Sequence, residues 1–166
     1  LTLTGSGSLT LSSDDADVDA TTYAGAITAT MTTGAGVTAQ VDFGSGNDQV
    51  TVSGVSGTGI LELDTAAGDD TVFVGGSTPA VGTTYELGSG TNVVNITAGG
   101  DISNADVTAT GGTWSLDVTG SVTVATDDLI GTAAASGIAA TGGEDQVNVD
   151  TTGGALTGYT LDEDVE

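Results

Sequence analysis

A period of 22 residues constrains this chain more than any other feature. Asp48, Asp70 and Asn92 stand at that interval. In rows of that length from Val41 the sequence lines up with itself: VDFGSGNDQVTVSGVSGTGILE, LDTAAGDDTVFVGGSTPAVGTT, YELGSGTNVVNITAGGDISNAD, VTATGGTWSLDVTGSVTVATDD and LIGTAAASGIAATGGEDQVNVD. Val41, Leu63, Tyr85, Val107 and Leu129 form one apolar column. Val50, Val72, Val94, Leu116 and Ile138 form a second; Val52, Val74, Ile96, Val118 and Ala140 form a third on the same strand face. Gly46, Gly68, Gly90 and Gly112 share a column at the bends. Apolar columns with glycine bends at a fixed interval mark stacked coils, each burying its face against its neighbours.

Within the rows, runs such as QVTVSG, TVFVGG, VVNITAGG, SVTVAT and QVNVD alternate apolar and polar residues between Gly, Asn, Asp and Ser. These are short strands separated by tight turns. No stretch carries a capped apolar stripe at helical spacing. The predicted fold is all-β: a parallel β-solenoid, of β-roll or β-helix type, with ~22-residue coils. Such a coil has a contour of roughly 70 Å, enough for two or three strands and their bends. Residues 1–40 keep the cadence in LTLTGSGSLTLS but not the register, and are expected to form β coils with insertions. Residues 41–150 hold about five coils, and 151–166 a terminal coil and the acidic tail LDEDVE. The chain begins Leu1-Thr2-Leu3 and reads as a piece of something longer.

Composition narrows the functions open to such a stack. The 166 residues include 23 acids and no Lys, Arg, His or Cys, a formal net charge of -23. Nucleic acid is excluded as a partner, because nothing can displace counterions from phosphate. Insertion into a membrane is not expected either, since no apolar run of about 18 residues occurs. Nucleophile-base pairs that need His, Lys or Cys cannot be built, which leaves a carboxylate-pair glycoside hydrolase as the one chemistry to weigh. No catalytic residue is assigned, and the expectation is that the chain is not an enzyme. Disorder fits poorly, since 37% of the residues are hydrophobic and the apolar residues are patterned.

Like charge on this scale opposes a compact state and calls for cations from outside. Asp42, Asp64 and Glu86 lie six residues ahead of Asp48, Asp70 and Asn92, with Gly46 and Gly68 at the bend between them. Stacking brings equivalent carboxylates within about 5 Å, where like charges destabilise unless something lies among them. Calcium suits the position, because it takes 6–8 oxygen ligands from carboxylates and carbonyls. Zinc and copper do not, for want of imidazole and thiolate. The candidate ligands are Asp42, Asp48, Asp64, Asp69, Asp70, Glu86 and Asn92, with Gly46 and Gly68 turning carbonyls toward the ion. The alternative is a solvated turn rich in Asp, Asn and Gly because turns are. Asp15, Asp17 and Asp19 form a second acidic comb, facing either calcium or water.

The segments GSGNDQVTV, AAGDDTVFV and GGEDQVNV resemble the glycine-aspartate nonapeptide of RTX proteins, a calcium-binding parallel β-roll. LTLTGSGSLTL and DVDATTYAGAITATM are similar to the strand repeats of bacterial surface-layer proteins and secreted adhesins. The RTX likeness places the motif's aspartate at Asp48, Asp70 and Asp145, and the glycine two before it at Gly46, Gly68 and Gly143. Phe43 and Thr65 stand where the motif has its first glycine. Together these features imply a secreted structural segment at the cell surface, stabilised by Ca2+. It would belong to a surface layer, extracellular fibre or adhesin stalk, and assemble with copies of itself. The alternative is a calcium-dependent adhesin module that binds cell-surface glycan, for which Trp114, Tyr23, Tyr85 and Tyr159 are the stacking candidates; lone aromatics more often cover a solenoid core. Asn95-Ile96-Thr97 matches a glycosylation sequon.

Overall fold

Alternating residues fold here as alternating faces. A computed structural model describes residues 1–53, 58–76, 79–125, 136–140 and 146–150. Among the described residues there is no helix. The strands in chain order are β1 (Leu9–Asp14), β2 (Val18–Asp19), β3 (Ile27–Thr32), β4 (Thr38–Asp42), β5 (Gln49–Ser53), β6 (Ile60–Asp64), β7 (Thr71–Gly75), β8 (Thr83–Glu86), β9 (Thr91–Ile96), β10 (Ala105–Thr108), β11 (Thr113–Val118), β12 (Ser121–Ala125), β13 (Ile138–Ala140) and β14 (Gln146–Asp150). Odd strands build one wall, in the order β1-β3-β5-β7-β9-β11-β13, and even strands the other, in the order β10-β8-β6-β4-β2. A short third pair joins β12 to β14. Every pairing is parallel, which makes the chain a β-solenoid of about five turns with coils of about 22 residues.

The apolar columns are the inward faces of these walls. Val41 pairs with Leu63, Leu63 with Tyr85, and Tyr85 with Val107. On the other wall Val50, Val72, Val94, Leu116 and Ile138 follow one another in register. Val41, Val50, Leu63, Val72, Tyr85, Val94, Val107 and Leu116 are all buried. Each such aliphatic chain stabilises the fold by ~1.5–3 kcal/mol on full burial. Three of the four aromatic candidates for sugar stacking are core groups: Trp114 and Tyr85 are wholly buried, and Tyr23 donates its hydroxyl to the Gly7 carbonyl at 2.7 Å.

The first 40 residues join the same stack at other intervals. Leu9 pairs with Ile27, Val18 with Val41 and Thr28 with Gln49. Isolated bridges from Thr2 to Asp19 and from Gly5 to Tyr23 lay the leading residues over β2 and the bend that follows it. Near the far end the interval lengthens again, Ser121 opposing Gln146. Leu129, Tyr159 and the segment 151–166 lie outside the described residues.

The glycine column exists because main chain stacks on main chain at the bend. A Cβ on Gly68 would sit 2.0 Å from the Gly46 carbonyl oxygen, and one on Gly90 1.9 Å from that of Gly68. Both glycines also hold left-handed φ values, 144° and 127°, which side chains resist. Gly68→Ala should therefore lower stability by about 2–4 kcal/mol, read from the urea midpoint. Gly76→Ala, with open space around its Cβ and a φ of 66°, should cost about 1 kcal/mol.

Candidate functional site

Two sets of polar side chains follow the stack, one turned inward and one outward. The inward set stands at the bend leading into β5, β7 and β9, where Asp48, Asp70 and Asn92 are at most 2% exposed. Each accepts a hydrogen bond from the main chain of the coil before it. Ile27 N–H donates to Asp48 Oδ1 at 2.7 Å, Asp48 N–H to Asp70 Oδ1 at 2.8 Å, and Asp70 N–H to Asn92 Oδ1 at 2.9 Å. Trp114 lies opposite Asn92 and ends the polar run.

The residue just ahead serves the opposite neighbour. Asp69 N–H donates to Asn47 Oδ1 at 3.0 Å, and Thr91 N–H to Asp69 Oδ1 at 2.9 Å. Asn47-Asp48 and Asp69-Asp70 thus hold the coil before with one side chain and the coil after with the other. These residues supply acceptors to backbone donors that the ladder leaves unpaired at a bend.

The second oxygens of the inward acids have no such role. Asp48 Oδ2 and Asp70 Oδ2 are buried without a hydrogen-bond partner. The equivalent atom of Asn92, Nδ2, donates to the Leu87 carbonyl at 3.0 Å. Burial pushes the Asp48 carboxyl up to about 6 against the pull of the Ile27 N–H, and the charge of Asp70 adds to the rise. Burial also raises Asp70, opposed by the Asp48 N–H and the Thr65 hydroxyl and assisted by Asp69 and Asp64.

The outward set lies on the even-strand wall. Asp19, Asp42, Asp64, Glu86 and Thr108 are successive partners from β2 to β10. Beside them run Gln40, Glu62, Thr84 and Asp106, and Asp17 Oδ1 accepts the Gln40 N–H at 2.9 Å. At the ~4.8 Å strand spacing, two unit charges repel by about 1 kcal/mol in water and about 3 kcal/mol at an effective dielectric near 20. Burial raises Asp42, a hydrogen bond from Gln40 opposes the rise, and Asp64, Asp19 and Glu62 add to it. Burial would likewise raise Glu86, but donors from Thr108, Thr110 and Gly88 outweigh it and hold that carboxyl below its ordinary range.

The predicted ligands therefore divide. Asp42, Asp64 and Glu86 share the outer wall, Asp48, Asp70 and Asn92 the interior, and Asp69 an exposed bend. Among the described residues no three acids converge closely enough to enclose a metal. Gly46 and Gly68 stack main chain on main chain. Asp145 lies outside the described residues, as do Asp127, Asp128 and Glu144. The comb also divides, because Asp15 takes a left-handed turn with φ 55° and accepts the Gly34 N–H, while Asp17 and Asp19 face the outer wall. Sequence reasoning passed over Asn47, Thr108 and Thr110. Asn47 stood one residue ahead of Asp48 and in line with Asp69, a spacing that could have revealed it.

Comparison with protein-family models, curated proteins and solved structures found no match to this chain.

Asn92→Leu strands the buried Asp70 N–H and should cost about 1–3 kcal/mol. Asp69→Ala frees an exposed N–H to water and should cost less than about 1 kcal/mol. Urea unfolding of the two variants reads the contrast.

Proposed function

We propose that the chain is a structural segment of a secreted surface assembly, such as a surface layer, extracellular fibre or adhesin stalk, and that calcium ions along the outer wall relieve its charge. One observation carries this reading. Asp19, Asp42, Asp64 and Glu86 stack in register in a chain without a single Lys, Arg or His. The donors are all oxygens, which fits a hard cation. Asp42, Asp64 and Glu86 would hold it in pairs across adjacent coils, with water completing the shell. Such open pairs bind weakly, with dissociation constants on the order of 10⁻⁴–10⁻³ M, the range of extracellular calcium modules. Bound ions would neutralise neighbouring carboxylates and so strengthen coil-to-coil stacking.

Burial of Tyr85 and Trp114 favours a structural segment over a glycan-stacking module, since neither ring is offered to a sugar. Self-assembly belongs to the same proposal and would use a strand at an edge of a wall, such as an end strand of the odd wall among the described residues. An edge presents unpaired N–H and C=O groups to another chain. No catalytic role is part of the proposal.

Thermal melting followed by circular dichroism tests the calcium reading. Millimolar CaCl2 at low ionic strength should raise the melting temperature by several degrees beyond NaCl of equal ionic strength. EGTA should reverse the gain, and Asp64→Asn with Glu86→Gln should remove most of it. Equal responses to calcium and sodium would leave only a generic salt effect and sink the proposal.

A further inference from the structure

The inward ladder contains two carboxyl groups that are only half used. Oδ1 of Asp48 and of Asp70 each accepts a main-chain N–H, while Oδ2 of each is buried with no partner. Asn92, the next rung, shows what the second position suits. Its Nδ2 donates to the Leu87 carbonyl while its Oδ1 does the work of the other two rungs. Thr65 and Phe43 precede Leu87 in that column, as their parallel N–H bonds to Glu86, Asp64 and, for Leu87, Thr108 show. A carboxyl can make the donation that Asn92 makes only when it carries a proton. At Asp70 the Thr65 hydroxyl works against a proton: its Oγ1 donates to the Leu87 carbonyl at 3.2 Å, and its pull on the carboxyl opposes the rise that burial causes.

We propose that Asp48 and Asp70 are proton-binding sites of the folded solenoid, each held as a neutral acid that donates from Oδ2 as Asn92 does, so that coil stacking tightens in mild acid and loosens toward neutral pH. The electrostatic surroundings point the same way. The charged groups acting on Asp70 are Asp69 from the bend and Asp64 from β6, and Asp70 itself acts on Asp48 one coil back. All are acids, and the sequence supplies no cation to favour an ionised form. Burial pushes Asp48 up to about 6 and raises Asp70 as well.

The sign is opposite to ordinary acid denaturation. An aspartate in the unfolded chain titrates near 3.9, so between about 4 and 6 the folded state binds more protons than the unfolded. Stability then falls as pH rises through that window. The contribution is complete below about 4 and lost as pH passes the folded value. Repulsion among the surface acids has the same sign, so a pH profile of the parent chain alone does not isolate these two.

The isolating variant is Asp48→Asn with Asp70→Asn, which keeps both Oδ1 acceptors and puts a permanent donor in place of Oδ2. It is compared with Asp69→Asn, which removes an exposed charge one residue away. All measurements contain EGTA, so calcium on the outer wall plays no part and the two proposals can fail separately. The double variant should melt a few degrees above the parent at about pH 7.5. Its melting temperatures at about pH 5 and 7.5 should differ by half the parent's difference or less. Asp69→Asn should keep most of that difference. Carboxyl 13C NMR of the parent gives a reading free of substitution, in which two aspartate resonances should titrate with midpoints well above the rest. A double variant less stable than the parent at pH 7.5, or aspartate resonances that all titrate below about 5, would overturn the proposal.

Discussion

Parallel hydrogen bonding between coils is the constraint on which everything else depends. A parallel ladder joins a strand to the equivalent strand one coil away, so any departure from equal coil length must be absorbed at the bends. Between Thr38 and Val118 the interval is held at 22 residues, and there the apolar columns are unbroken. Where it changes, at β1–β3, β2–β4, β3–β5 and β12–β14, the pairing persists in shorter or displaced stretches. A narrow core results, two walls deep. It is extended by repetition, which suits a chain with only 4% aromatic residues.

The bends are where a solenoid loses backbone hydrogen bonds, and this chain restores them with side chains. Asn47, Asp48, Asp69, Asp70 and Asn92 together receive five main-chain N–H groups from adjacent coils. A short side chain with a carbonyl-like oxygen is what the task needs, and Asp and Asn meet it equally through Oδ1. Their difference lies in the other atom. In Asn it is a donor and finds the Leu87 carbonyl; in Asp it is a buried acceptor that no donor reaches. Such a group is a conditional element of the stack, and its condition is set by pH.

On the outer wall the same periodicity has the opposite electrostatic effect. Register puts Asp19, Asp42, Asp64 and Glu86 in line, and every gain in pairing brings like charges to one strand spacing. Local donors soften this at Glu86, where Thr108 and Thr110 converge on the carboxylate. At Asp42 only Gln40 offers such help, and the carboxyl rises instead. The acidic surface and the apolar interior are thus products of one repeat read on alternate residues.

Much of this was legible in the sequence because a parallel stack converts interval into contact. The columns of Val41 and Val50, the glycine column and the outward line of Asp42, Asp64 and Glu86 all follow from the 22-residue period and strand alternation. Asp48, Asp70 and Asn92 were legible as a column but not as an interior one. Alternation predicts facing only along a strand, and the path from Asp42 to Gln49 runs through a bend whose direction is set by main-chain packing at Gly44 and Gly46. Two signs pointed inward: Trp114 continues the column, and Asn92 takes the place of an Asp in it, an exchange that preserves the Oδ1 acceptor but removes the charge offered to a cation. The sequence by itself determined the repeat, the walls and the excess of negative charge, since these depend on interval and composition. Only the tertiary structure decided which acids meet water and which meet backbone N–H groups, because that depends on where each bend aims a side chain in three dimensions.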